Sequence, residues 1–120
     1  MKTLLIDDER NFLDGRESVV LRSSQDAIDH FTAEDGSISD VHYDEVWLDF
    51  SLLRSDSIMD FLFFAKKAAN AGTPLSVDEF VIHTSSWSGA SLIATVLDES
   101  GYKHRRFDPS YQVPTKIIGK

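Results

Sequence analysis

The chain contains no cysteine, which excludes disulfides, thiolate metal ligands and thiol nucleophiles and suits a reducing compartment. It also has no apolar run near the roughly 18 residues needed to cross a bilayer. The opening Met1 to Arg10 turns acidic after three apolar residues, so it does not read as a signal peptide. A cytoplasmic protein with no membrane association is the expectation. Basic residues are in the minority: 12 Lys and Arg face 20 Asp and Glu, for a net charge of −8. Such a surface repels phosphate backbones and anionic lipid, so nucleic acid is not expected as the primary partner. Only 4 histidines are present, which with the missing cysteines argues against zinc. There is no internal repeat, low-complexity tract or linker. What remains, 120 residues with 42% apolar and 27% charged side chains, is expected to form a single domain over 1–120.

Short apolar runs alternate with amphipathic stretches. Lys2 to Asp7, with Leu4, Leu5 and Ile6, reads as a strand buried on both faces that ends in acid. Ser18 to Arg22 reads as a second strand, Glu45 to Asp49 as a third, Phe80 to His83 as a fourth, and the basic stretch Tyr102 to Phe107 as an edge strand closed by Asp108 and Pro109. Helices are predicted from Ser24 to about Glu34 with Ser23 or Ser24 as cap, from a cap at Asp56 or Ser57 to near Gly72, and from the Thr84 to Gly89 loop to Gly101. Between the first two strands only Asp8 to Glu17 are available, too few for a full crossover helix, so the first helix must be truncated. The pattern predicts an α/β fold: a five-stranded parallel sheet with helices on both faces. Ser110 to Lys120 show no usable periodicity.

Ligands of such sheets bind at the carboxyl ends of the strands. Asp7 and Asp8 close the first strand, Asp49 closes the third, and Thr84, Ser85 and Ser86 follow the fourth. A parallel sheet brings these groups to one edge although they are far apart in sequence. Three carboxylates at close quarters repel one another unless a cation sits among them, and a hard ion with a preference for oxygen fits: Mg²⁺, with Mn²⁺ as the second candidate. The hydroxyls and amides of the loop that opens the last helix can then hold phosphate oxygens.

The segments LLIDDER, VWLDF and VIHTS resemble those of the response-regulator receiver domain. That resemblance implies a receiver-like (flavodoxin-like) three-layer sandwich, with Asp7 and Asp8 as the metal-binding pair, Asp49 as phosphoacceptor and Thr84 as the hydroxyl that responds to phosphorylation. Receivers end their fifth strand in Lys-Pro, whereas this chain has Asp108 and Pro109. The chain is more similar to the cyclic-phosphate processing receivers, which share the reduced first helix and a DDER-type opening, present here as Asp7, Asp8, Glu9 and Arg10. It differs from them in carrying Phe50 for His, Ser51 for Asp, Ser86 for Asn and Trp87 for Pro.

Four functions follow as expectations. The leading one is a divergent receiver-like module that binds the cation and a phosphate-bearing small molecule, or regulates a partner protein. The others are a metal-dependent phosphoesterase acting on cyclic phosphates or nucleotides, a two-component phosphoacceptor, and a vestigial-site interaction domain. Asp49 and His83 are the candidate catalytic residues, His83 as a general acid or base or as a hydrogen-bonded core residue. Arg10, Thr84, Ser85 and Ser86 are the candidate phosphate ligands. Trp87 is open to stacking on a nucleobase or to plugging the cleft. Of Phe61, Phe63 and Phe64, one is expected to be exposed.

Overall fold

The computed structural model describes residues 2–8, 11–12, 16–52, 56–84, 86–107 and 117–118. In chain order the elements are β1 (Thr3–Ile6), β2 (Asn11–Phe12), β3 (Ser18–Leu21), α1 (Ser24–His30), β4 (His42–Leu48), α2 (Met59–Asn70), β5 (Ser76–Ile82), α3 (Trp87–Ser100), β6 (His104–Arg106) and β7 (Ile117–Ile118). Five strands form one all-parallel sheet in the order β3-β1-β4-β5-β6, and β2 pairs antiparallel with β7. This is the receiver-like α/β fold. The order runs outward from β1 in both directions, so a topological switch point lies beside β1.

Side-chain alternation along the strands sorts the core into two parts. Leu4, Ile6, Val46, Leu48, Phe80 and Ile82 turn toward the helices and join Ala27, Phe61, Leu62, Ala65, Ile93 and Leu97 in the main cluster. Leu5, Trp47 and Val81 turn the other way and pack with Phe12, Val20 and Phe107. The three helices among the described residues therefore lie on one face, where helices on both were expected. The cause is the short connection from β1 to β3, whose described residues hold strand β2 and no helical turn. The third layer is instead thin and aromatic: Phe12 meets Trp47 edge-on at 5.3 Å, and the Arg16 guanidinium covers Phe12 at 4.3 Å. Arg105 finishes this face by bonding Glu79 at 3.1 Å and Glu45 at 3.2 Å.

Local departures from the sequence reading have identifiable causes. Helix α1 stops at His30 rather than near Glu34 because a turn takes over the backbone: the Ala33 N–H donates to Ser37 O, Gly36 adopts φ +85°, and Thr32 bridges Ile38. Asp56 does not cap α2. Its Oδ2 accepts the Ser24 N–H at 2.9 Å at the start of α1, and the Ser24 hydroxyl donates to Ser57 O, so the residues expected to begin one helix fasten another to it. Helix α3 ends at Gly101, φ +79°, as expected, but it begins at Trp87, inside the stretch read as a loop, with the Ser86 hydroxyl accepting the Gly89 N–H as its cap. Phe61 is buried and Phe63 is the exposed member of its trio. No helix among the described residues is long and apolar enough to cross a membrane.

Two buried tyrosines tie helices to the sheet. The Tyr102 hydroxyl donates to Ala65 O at 2.8 Å and accepts the Leu75 N–H at 3.0 Å, and burial raises its pKa. The Tyr43 hydroxyl lies 2.7 Å from His30 Nε2. Burial, and then the charge of Lys2, lower the pKa of His30. An unfolded histidine takes up its proton near about 6.5, so below that pH the unfolded chain binds more protons at this position than the folded one. Stability is expected to fall as pH drops through that value and to level off below the folded pKa. A proton-NMR titration should place the His30 midpoint below that of free histidine, and His30→Gln should remove its share of the stability slope in pH-dependent urea unfolding.

Candidate functional site

Strand register builds the site. Ile6 pairs with both Leu21 and Leu48, Leu48 with Ile82, and Ile82 with Arg106, so the carboxyl ends of all five strands stand in one row. The next row continues the same ladders: the Asp7 N–H donates to Leu21 O at 3.1 Å, Asp49 to Ile6 O at 3.1 Å, His83 to Leu48 O at 2.8 Å and Phe107 to Ile82 O at 2.9 Å. Asp7 and Asp49 therefore leave adjacent strands at the same level. One carboxylate oxygen from each of Asp7, Asp8 and Asp49 lies within 4.8 Å of the other two. Asp7 is fully buried, and Asp8 and Asp49 are half-buried.

The donor set consists of carboxylate oxygens alone, one of them on a buried residue. Like charges gathered in this way are the chemistry of a hard divalent cation, and the absence of nitrogen or sulfur donors disfavours a softer one. The acids thus fit the cation that their spacing in the sequence called for.

The other predicted residues are distributed around this cluster. Thr84 is buried, and its Oγ1 accepts the Ser86 N–H at 3.2 Å; Ser86 Oγ in turn accepts the Gly89 N–H at 3.0 Å as the cap of α3. Both hydroxyls spend acceptor capacity on backbone, and Ser86 Oγ also lies 3.4 Å from Ser88 Oγ, a contact in which either hydroxyl can donate. His83 is 2% exposed, with ring centroids of Trp47 at 5.8 Å and Phe107 at 5.3 Å, so it faces the aromatic layer on the side of the sheet away from the helices. Arg10, Ser85, Asp108 and Pro109 lie outside the described residues.

Sequence reading missed Arg22. Its Nη1 donates to the Asp7 carbonyl at 3.1 Å and its Nη2 to Asn11 Oδ1 at 2.8 Å, which places a guanidinium beside the acids. The signal was available: Arg22 ends the second strand, and a parallel sheet sets that end beside Asp7. A further mixed group, His42, Asp44 and Asp78, occupies the opposite end of β4 and β5. His42 Nε2 lies 3.7 Å from Asp44 and 3.5 Å from Asp78, and the Lys2 N–H bond to Asp44 is the main cause holding that carboxyl below the usual range. It clasps the entry ends of β1, β4 and β5.

A parallel sheet wound 3-1-4-5-6 with three acids at its switch point defines a receiver-like domain. The model of the cyclic-phosphate processing receiver domain matches residues 2–99, and the chain belongs to that family. No curated protein and no solved structure matches it.

The first turn of α3 approaches the site closely. A Cβ built on Gly89 would stand 2.5 Å from Phe50 Cγ and 2.9 Å from Phe50 Cβ, so only glycine lets the helix rest on the residue that follows Asp49. Gly89→Ala is expected to destabilise the protein by about 1–3 kcal/mol despite its gain in helix propensity. In a Phe50→Ala background the same change should cost less. Urea unfolding of the four proteins of this cycle checks it, and equal costs in both backgrounds would remove the contact as the cause.

Proposed function

We propose that Asp7, Asp8 and Asp49 hold a divalent cation, Mg²⁺ first and Mn²⁺ as the alternative, in a cytoplasmic, single-domain module that binds a phosphate-bearing ligand beside it. The observation that carries this reading is the meeting of three carboxylates from two strand ends at the switch point of the sheet. A cation bound there supplies positive charge against phosphate oxygens. The chain's own groups do the rest. Thr84 and Ser86 offer hydroxyl protons, the first turn of α3 offers backbone N–H groups and the positive end of its dipole, and Asp49 stands open enough to meet the ligand. Calorimetric titration with Mg²⁺ should show one site in the wild type and at least about tenfold weaker binding in Asp49→Ala, since hard-cation affinity follows the number of charged ligands. Equal binding by the two proteins, or none by either, overturns the reading.

The family's description as cyclic-phosphate processing favours a second reading, in which the same site opens a cyclic phosphate. Water adds to phosphorus, one ester P–O bond of the ring breaks, and the departing oxygen takes a proton from a general acid. His83 is the candidate for that proton, although its ring is packed against Trp47 and Phe107. Incubation with 2′,3′- and 3′,5′-cyclic nucleotides plus Mg²⁺ or Mn²⁺ should yield the ring-opened monophosphates. Turnover should vanish in Asp49→Ala and fall by about a hundredfold or more in His83→Ala; no turnover above the double variant eliminates this reading.

A further inference from the structure

We infer that the groove between α3 and β6 is a base-recognition subsite, so that the ligand of the acidic site is a nucleotide whose base stacks on Trp87. The inference rests on the phosphate-binding reading above and adds the chemical class of the ligand. Trp87 is the first residue of α3 and is 71% exposed, the most exposed of the large apolar side chains described. An indole offers a broad apolar face for stacking together with an N–H that can meet water. The Arg106 guanidinium covers one face at 3.9 Å from the ring centroid, well inside cation–π range, and holds the ring as a platform with its other face to solvent.

Arg106 is committed to little else. No acceptor among the described residues meets its buried Nε, and among those residues it forms no ion pair, whereas its neighbours are engaged: His104 with Asp98 at 2.6 Å, Arg105 with Glu79 and Glu45. Arg106 also belongs to a neighbouring groove, lined besides by Ile82, Ala90, Ser91, Ala94, His104 and Arg105. Ser91 and Ala94 follow Trp87 at helical spacing, so small side chains leave room along that stripe. This is a cationic, small-residue recess on a chain of net charge −8.

Position links the recess to the acids. Arg106 pairs with Ile82, and Ile82 with Leu48, the residue before Asp49, so Arg106 and Asp49 leave one edge of the sheet two strands apart, roughly 10 Å, with Asp7 and Asp8 one strand further. A mononucleotide bridges that span from its phosphate to its base. A protein partner would call for a ring of apolar neighbours that excludes water around the tryptophan; Trp87 is flanked instead by Ser86, Ser88 and Ser91.

The test titrates adenosine 2′,3′-cyclic phosphate, adenosine 3′,5′-cyclic phosphate and base-free ribose 5-phosphate into the full chain with Mg²⁺, by calorimetry and tryptophan fluorescence. Trp47 is buried, so quenching by adenine reports on Trp87. Trp87→Ala should weaken binding of a nucleotide about tenfold or more and leave ribose 5-phosphate unchanged, while Trp87→Phe keeps most of the nucleotide affinity. Far-UV circular dichroism of both variants confirms the fold. Equal nucleotide binding by wild type and Trp87→Ala overturns the inference. Mg²⁺-dependent binding of ribose 5-phosphate without any preference for the nucleotides also overturns it, and leaves the acidic site standing. Failure of all three probes together with failure to bind Mg²⁺ removes both.

Discussion

The structure depends on parallel register. A sheet whose strands run together and end together converts positions distant in sequence into neighbours, because each strand contributes its last residue at the same height. Ile6, Leu48 and Ile82 fix that height by pairing in line, and the backbone bonds just beyond them carry it one residue further, to Asp7, Asp49 and His83. A slip of one residue in β4 would turn Asp49 to the other face of the sheet and send Leu48 out of the core. Burial of Val46 and Leu48 against the helices therefore also enforces the geometry of the acids. Stability and site share one constraint.

The sheet is covered unequally. Three helices bury one face under a continuous apolar cluster, and the other carries Phe12, Phe107 and the ion pairs of Glu45, Glu79 and Arg105 around Trp47. Among the described residues, the short connection between β1 and β3 contributes to this asymmetry. What stands there among the described residues is a thin layer of edge-on and tilted aromatic rings supplemented by guanidinium groups, whose stems cover apolar surface while their charges meet water. His83 belongs to this stack by the same alternation that sends Ile82 toward the helices, which explains why a residue at the site's edge points away from the hydroxyls of Thr84 and Ser86.

Much of this was legible in the sequence. Leu4 to Ile6 and Val46 to Leu48, each apolar and each running into aspartate, marked both the central strands and the convergence of acids. Gly101 marked the end of α3. The misses have common causes. The entry ends of β4 and β5 are polar because residues such as His42, Asp44, Ser76 and Asp78 face solvent, so no apolar run announces them. Strands of two residues, such as β2 and β7, hold no periodicity to detect. Asp56 looked like a cap for the helix that follows it, and only the packing of α1 beside α2 shows that its carboxylate serves the other helix. Arg22 needed the strand order before its closeness to Asp7 had meaning.

The antiparallel pair of β2 and β7 comprises two residue couples, Asn11 with Ile118 and Phe12 with Ile117. So brief a ladder holds far fewer backbone bonds than the long parallel ladders of the main sheet. The β2–β7 seam is consequently expected to part before the main sheet does. Such an excursion wets the indole of Trp47 and loosens the chain on both sides of the acidic turn, while the helical half stays closed.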